Sequence, residues 1–176
     1  MHMKNIIKEK IRKKFEINVV ILDRGWKRAL PNIVFFAKKV AEQTLKQAQM
    51  SLPRSSLSIV LANNDFVREL NKSYRSKNEY TNVLSFPADE CIKMKKVNKE
   101  IILGDVILAL KKIREESKEQ NKIFQNHFAH LIVHGILHLL GYIHLHRKEA
   151  EEMEELERII LKNMGIGNPY ILDMPR

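Results

Sequence analysis

The chain has 176 residues, a length typical of one compact domain, and it carries a formal charge of +10 at pH 7. That excess of positive charge favours a polyanionic partner such as nucleic acid or an acidic membrane surface. No run approaches the roughly eighteen apolar residues of a membrane span, and the basic first twenty-two residues lack the apolar region and cleavage site of an export signal. The single cysteine, Cys91, excludes an intramolecular disulfide. We therefore predict a cytoplasmic protein without a transmembrane helix.

The first third of the chain predicts a strand, a helix and a second strand. Residues 17–22 are apolar and rich in β-branched side chains, which is typical of a strand. Residues 27–50 predict a helix, in which Pro31 is tolerated only in the opening turn. After a polar loop, residues 57–61 predict the next strand.

The middle of the chain continues this alternation. Asn63 offers an N-cap for a helix that runs to about Tyr74. Residues 83–86 and 101–109 predict two further strands. The lysine-rich segment 89–100 between them predicts a mobile loop.

Two helices close the chain, over residues 121–140 and 147–163. The order of elements predicts an α+β protein with a mixed β-sheet packed against helices. We expect a single small domain over residues 1–176, and its central helix carries two histidines, His134 and His138.

Six of the seven histidines fall between residues 127 and 146. His134 and His138 are four residues apart in an apolar helical run, so both imidazoles lie on one face. Gly141 then supplies a helix stop, and the chain turns back to deliver His144. Three imidazoles with a fourth position open are typical of a catalytic zinc, although they also suit nickel, copper or cobalt.

The neighbouring residues receive other interpretations. The ladder of His130, His134 and His138 is too long to share one ion, so we expect His130 to support a ligand or to pack. His127 and His146 are interpreted as surface residues. The spacing resembles the zincin motif HExxH, but Gly135 stands where zincin proteases carry their glutamate base, which argues against peptide hydrolysis.

Residues 134–144 resemble the HGxLHLxGYDH signature of the YbeY-type endoribonucleases, a family of bacterial ribosomal RNA maturation factors. Four further segments resemble the family's LNxxYR, T[DN]VLSFP, LGD[IV] and EAxxMxxLE patterns, in the expected order: residues 70–75, 81–87, 103–106 and 149–165. The matched segments cover about residues 57 to 170.

The resemblance implies a metal-dependent endoribonuclease, most simply with one Zn²⁺ per chain in a zincin-like fold. It implies cleavage of single-stranded RNA, processing of ribosomal RNA 3′ ends and ribosome quality control. It also implies a functional arginine at Arg75, which we expect to bind substrate phosphate and to stabilise the charge of the transition state. The attacking group is open between water activated by the metal and the 2′-hydroxyl of RNA.

The chain departs from the signature at Ile143, where the family usually has aspartate before the third histidine. A carboxylate there could orient a ligand imidazole, so its loss predicts reduced activity or metal affinity, with another acceptor holding His144. Asp105 and Ser85 are interpreted as structural, the first buried in its strand and the second packed. Two alternatives stay open: a ribosome-assembly factor that binds RNA and has a structural metal, and a zinc hydrolase of another substrate.

Overall fold

A computed structural model describes residues 14–48, 52, 54–88, 101–144 and 146–171. The described strands are β1 (Phe15–Ile21), β2 (Ser55–Ala62), β3 (Val83–Pro87) and β4 (Ile101–Ala109). The described helices are α1 (Gly25–Ala29), α2 (Ile33–Gln47), α3 (Asn64–Arg75), α4 (Leu110–Glu119), α5 (Phe124–Leu139) and α6 (Arg147–Asn163). This content confirms the predicted α+β class.

The four strands form one mixed sheet in the order β1-β2-β4-β3. The pairs β1–β2 and β2–β4 are parallel, while β3 runs antiparallel to β4 and lies at an edge. Pro87 closes the β3 ladder, a position where its missing N–H is tolerated. The predicted mixed sheet is confirmed.

Helix α5 is the buried centre of the fold, in contact with α2, α4, α6, β3 and β4. It approaches the sheet closely at Gly135, where an added Cβ would lie 2.6 Å from Val106 Cγ1. The Ser85 hydroxyl in β3 donates a hydrogen bond to the Gly135 carbonyl over 3.0 Å, which confirms the packing role predicted for Ser85. These contacts fix the rotation of α5 about its axis, and with it the directions of His134 and His138.

The helix predicted over residues 27–50 is wrong in extent, because two helices occupy this stretch. Leu30 adopts an extended conformation after α1, and α2 begins at Ile33. Pro31 explains the break, since its ring disfavours a helical conformation at the preceding residue. Residues 49 and 50 lie outside the described residues.

The other predicted helices are confirmed within a few residues, and the Asn63 cap is observed as its side chain accepts from the Phe66 N–H over 2.9 Å. Helix α4 was not predicted. Its segment is mostly charged, and only Leu110, Ile113 and Ser117 are buried, which leaves a weak apolar stripe in the sequence.

The prediction that Asp105 is buried is wrong, because its side chain is exposed. Ser56 pairs with Ile102 but Leu57 pairs with Gly104, so β4 carries one extra residue. Gly104 has a φ of 128°, a conformation that other residues rarely adopt. This bulge interrupts the alternation of β4 and places Asp105 on the open face of the sheet.

The predicted mobile loop over residues 89–100, together with Cys91, lies outside the described residues. Among the helices that are described, none combines the length and the apolar character needed to cross a bilayer.

Candidate metal centre

A tight reversal after α5 brings a third histidine to the helix. Gly141 has a φ of 91°, and the Tyr142 N–H bonds to the Leu137 carbonyl over 3.0 Å, so the predicted helix stop is confirmed. The Tyr142 hydroxyl donates to the Ala48 carbonyl over 3.2 Å and ties the turn to the end of α2. The chain then delivers His144 beside α5.

The structure brings His134, His138 and His144 together. Their ring centroids are 4.5 Å apart for His134 and His138, 5.7 Å for His134 and His144, and 5.0 Å for His138 and His144. One nitrogen from each ring lies within 4.8 Å of the others. The cluster can therefore hold one metal ion.

Hydrogen bonds fix which nitrogens of the helical pair carry protons. The Nδ1 atom of His138 lies 2.9 Å from the Tyr142 carbonyl oxygen, which can only accept, so Nδ1 carries the proton. The Nδ1 atom of His134 lies 2.8 Å from a carboxylate oxygen of Glu157 and donates to it in the same way. With Nδ1 protonated, Nε2 is the atom of each ring that can offer a lone pair to a metal.

These two Nε2 atoms face each other at 3.1 Å. Two lone pairs at this distance repel one another, whereas a cation between them is a partner for both. Burial, followed by the nearby His134, lowers the pKa of His138 to about 4, so its ring is neutral at pH 7. Neutral imidazole is the form that binds metals, and the donor set therefore fits the implied ion.

A buried carboxylate stands behind this pair and was missed from the sequence. The Glu157 side chain is 0% exposed and accepts from His134, from His130 Nε2 over 2.7 Å, and from the Tyr170 hydroxyl. Burial alone would raise the pKa of Glu157, but the hydrogen bonds with His130 and His134 outweigh it and lower the pKa to about 2. The available signal was its position four residues after the buried Met153, on the apolar side of α6.

His130 supports a ligand, as predicted, because its Nε2 bonds to Glu157, the same carboxylate that holds His134. His130, His134 and Glu157 are also close enough to form a metal-ligand group. In this group, however, the carboxylate of Glu157 already accepts a short hydrogen bond from each histidine. His146 is exposed, as predicted, at the start of α6.

The surface position predicted for His127 is wrong, because its side chain is only 5% exposed. Its Nε2 lies 2.9 Å from Glu116 Oε2, and the same oxygen accepts from Asn82 Nδ2 over 2.8 Å. Burial would raise the pKa of Glu116, but the His127 and Asn82 hydrogen bonds and the nearby positive charges outweigh it and lower the pKa. The reason for the error is α4, which supplies Glu116 and was not predicted.

A cavity of about 480 Å³ runs along α5 beside the cluster, with His127, His130, His134 and His144 in its wall. Arg75 is exposed at the end of α3 and does not line this cavity in the part of the chain that is described. Ile143 lies in the turn with its side chain 47% exposed. The structure thus unites the three histidines, but it does not bring Arg75 to the cavity wall.

The family model described as "Endoribonuclease YbeY" matches residues 26–165 of this chain. A protein named endoribonuclease YbeY from Ruthia magnifica is 45% identical over 129 residues, which cover 72% of this chain and 86% of that protein. One of the same name from Azorhizobium caulinodans is 41% identical over 161 residues, covering 89% and 97%. One from Paramagnetospirillum magneticum is 40% identical over 156 residues, covering 88% and 95%.

Proposed function

The chain belongs to the YbeY family of endoribonucleases, and from this membership we propose that His134, His138 and His144 hold one catalytic Zn²⁺ at which single-stranded RNA is cut. The chain is an endoribonuclease involved in ribosomal RNA maturation, a hydrolase of phosphodiester bonds. The observation that carries the metal proposal is the pair of Nε2 atoms that face each other at 3.1 Å, with His144 beside them.

When bound, Zn²⁺ supplies a Lewis acid that polarises a phosphoryl oxygen and makes water reactive near neutral pH. Residues of the chain orient the ligand imidazoles for this chemistry. The carbonyl of Tyr142 and the carboxylate of Glu157 each accept the proton that a ligand ring carries on Nδ1, so Nε2 is the atom left to bind the metal. His144 is exposed, which keeps one side of the cluster open to a large substrate.

The geometry of α5 supports a phosphodiester over a peptide as substrate. At Gly135, the position of the zincin glutamate, a Cβ would lie 2.6 Å from Val106 Cγ1 and 3.1 Å from Ser85 Oγ. A side chain there would have to displace the side chains of Val106 and Ser85, so this position does not accommodate a glutamate base. The formal charge of +10 adds a general attraction for phosphates that weakens as salt rises.

Arg75 is proposed to contact the RNA backbone and to stabilise negative charge at the phosphate that is cut. Its guanidinium is exposed at the end of α3, where it is free to meet a phosphate bidentately. We further propose that the chain acts as one domain over residues 1–176, in the cytoplasm, on ribosomal RNA 3′ ends and in ribosome quality control.

The test is cleavage of single-stranded and duplex RNA by purified protein, with and without a chelator, by wild type and by Arg75→Ala. Arg28→Ala, which removes an exposed arginine from α1, is the matched control for lost charge. We expect the single strand to be cut only when metal is present, and Arg75→Ala to be far slower than Arg28→Ala. Cleavage that survives complete metal removal would overturn the catalytic metal, and equal rates for the two variants would overturn the role of Arg75.

A further inference from the structure

Glu157 is the common partner of three side chains beside the metal centre. It lies near the middle of α6, accepts from His134 and His130 on α5, and receives the hydroxyl of Tyr170 from the segment after α6. We propose that Glu157 is a positioning residue that fixes the proton and ring orientation of His134 and thereby sets the affinity of the centre for its metal. The inference rests on the proposed function only in taking His134 as a ligand.

The burial of Glu157 makes its hydrogen bonds obligatory. Its side chain is 0% exposed, so bulk solvent does not reach the carboxylate. An ionised carboxylate has no proton to give, and therefore each of its partners must donate. His134 is held with its proton on Nδ1, at 2.8 Å from Oε1, and its Nε2 is left free on the side that faces His138.

The carboxylate also acts through its charge. A negative group hydrogen-bonded to the far nitrogen of an imidazole increases the basicity of the near nitrogen and strengthens its bond to a cation. His138 has only a neutral carbonyl, from Tyr142, in the equivalent position. The two helical ligands are therefore unequal, and Glu157 acts on His134 alone.

This carboxylate bears on the departure at Ile143. An aspartate next to the third histidine would offer a carboxylate from the turn, and this chain has an apolar, half-exposed side chain there. Glu157, the last residue of the EAxxMxxLE pattern, supplies a carboxylate from α6 to a different ligand. The centre thus retains one negatively charged support behind an imidazole although residue 143 provides none.

The first experiment is a competition titration of Zn²⁺ between a chelating indicator and the metal-free protein, for wild type and Glu157→Gln. Glutamine keeps the size of the side chain but removes its charge. Glu154→Gln is the matched control, since it removes the same charge one turn earlier on α6, and among the described residues no histidine donates a hydrogen bond to Glu154. We expect Glu157→Gln to bind Zn²⁺ about 10- to 100-fold more weakly, and Glu154→Gln to stay within about twofold of wild type.

A double-mutant cycle separates positioning from a general loss of structure. His134→Ala and His144→Ala no longer retain one zinc per chain, so their weakened sites are titrated directly, at zinc concentrations high enough to fill them. If Glu157 acts through His134, Glu157→Gln has little further effect on this weak affinity in the His134→Ala background but still lowers it in the His144→Ala background. Equal losses in both backgrounds, or wild-type affinity for a folded Glu157→Gln, would overturn the proposal.

Should Glu157→Gln not fold, nitrogen-15 spectra of the wild-type histidines give an independent answer. The proposal requires the Nδ1–H form of His134 in the metal-free protein, and the Nε2–H form would overturn it. None of these measurements uses RNA. Tight zinc binding that depends on Glu157, in a protein that cuts no RNA, would therefore refute the proposed function and leave this inference standing.

Discussion

Both ends of α5 carry a pair of histidines, but the two pairs have different partners. Toward its start, Nε2 of His127 and Nε2 of His130 each lie within 2.9 Å of a carboxylate oxygen. Toward its end, the Nε2 atoms of His134 and His138 lie 3.1 Å from each other. A carboxylate requires a proton on the facing nitrogen, whereas two facing nitrogens without protons require a cation. The partner, rather than the histidine or its spacing, decides which end of the helix can bind a metal.

The largest effect is expected from removing one of the two facing nitrogens. His138→Ala should abolish stoichiometric zinc binding and lower single-strand cleavage roughly a thousandfold, because a bound metal contributes several kcal/mol to the transition state. Zinc content by elemental mass spectrometry and the cleavage rate of a fluorescent RNA measure the two losses. Circular dichroism should show an unchanged helix content.

The same substitution at the other end of α5 is the control for this result. His127→Ala should retain one zinc per chain and most of the cleavage rate. If His127→Ala loses zinc as completely as His138→Ala, the division of the helix into two ends is wrong. If His138→Ala is unfolded, the metal is structural, which is the assembly-factor alternative.

A smaller effect, on stability, is expected at the carboxylate-paired end. His127→Ala removes a buried ring and leaves Glu116 with one donor fewer, so the free energy of unfolding of the metal-free protein should fall by about 2 kcal/mol. Urea unfolding measures this difference. Gln125→Ala, at an exposed position on the same helix, should stay within about 0.5 kcal/mol of wild type, and equal losses in the two variants would contradict the buried pair.

The histidine cluster could be predicted from sequence because its geometry is local. His134 and His138 are fixed by one helical turn, and Gly141 sets the reversal that returns His144. The strands could be predicted for the same reason, from short apolar runs. The prediction of one continuous helix was wrong because Pro31 breaks it. The prediction of a regular fourth strand was wrong because Gly104 introduces a bulge.

The partners of the histidines were not predicted, because they come from packing between distant segments. Glu157 is 23 residues beyond His134 and lies in a run of glutamates that is typical of a solvated helix face. Glu116 lies on α4, a helix whose charged sequence hides its short apolar stripe. For Arg75 the reverse holds: its role was predicted from the family resemblance, and the structure adds only that it is exposed at the end of α3.

In the metal-free protein, the unfolding free energies of wild type and Glu157→Gln should respond differently to acid. The pKa of Glu157 is lowered to about 2, against 4.5 for the ordinary side chain, so the unfolded chain binds more protons between these values. The stabilisation is present above about pH 4.5 and is lost as the pH falls toward 2. Unfolding free energies between pH 5 and 3 should fall more steeply for wild type than for Glu157→Gln, by up to about 1.4 kcal/mol per pH unit. Parallel curves would show that Glu157 is not ionised in the folded protein.

The smallest effect is expected from Tyr170→Phe, which separates the outer partner of Glu157 from the inner one. The ring lies edge-on to His130 at 5.4 Å and should stay there without its hydroxyl, so the lost hydrogen bond should lower stability by only about 1 kcal/mol. Zinc affinity should remain within about twofold of wild type, because the bond from His134 to Glu157 is retained. Urea unfolding and the zinc titration measure the two quantities on the same sample. A tenfold loss of zinc affinity would mean that the segment after α6 controls the metal centre directly. Tyr170, and not Glu157 alone, would then determine how His134 binds the metal.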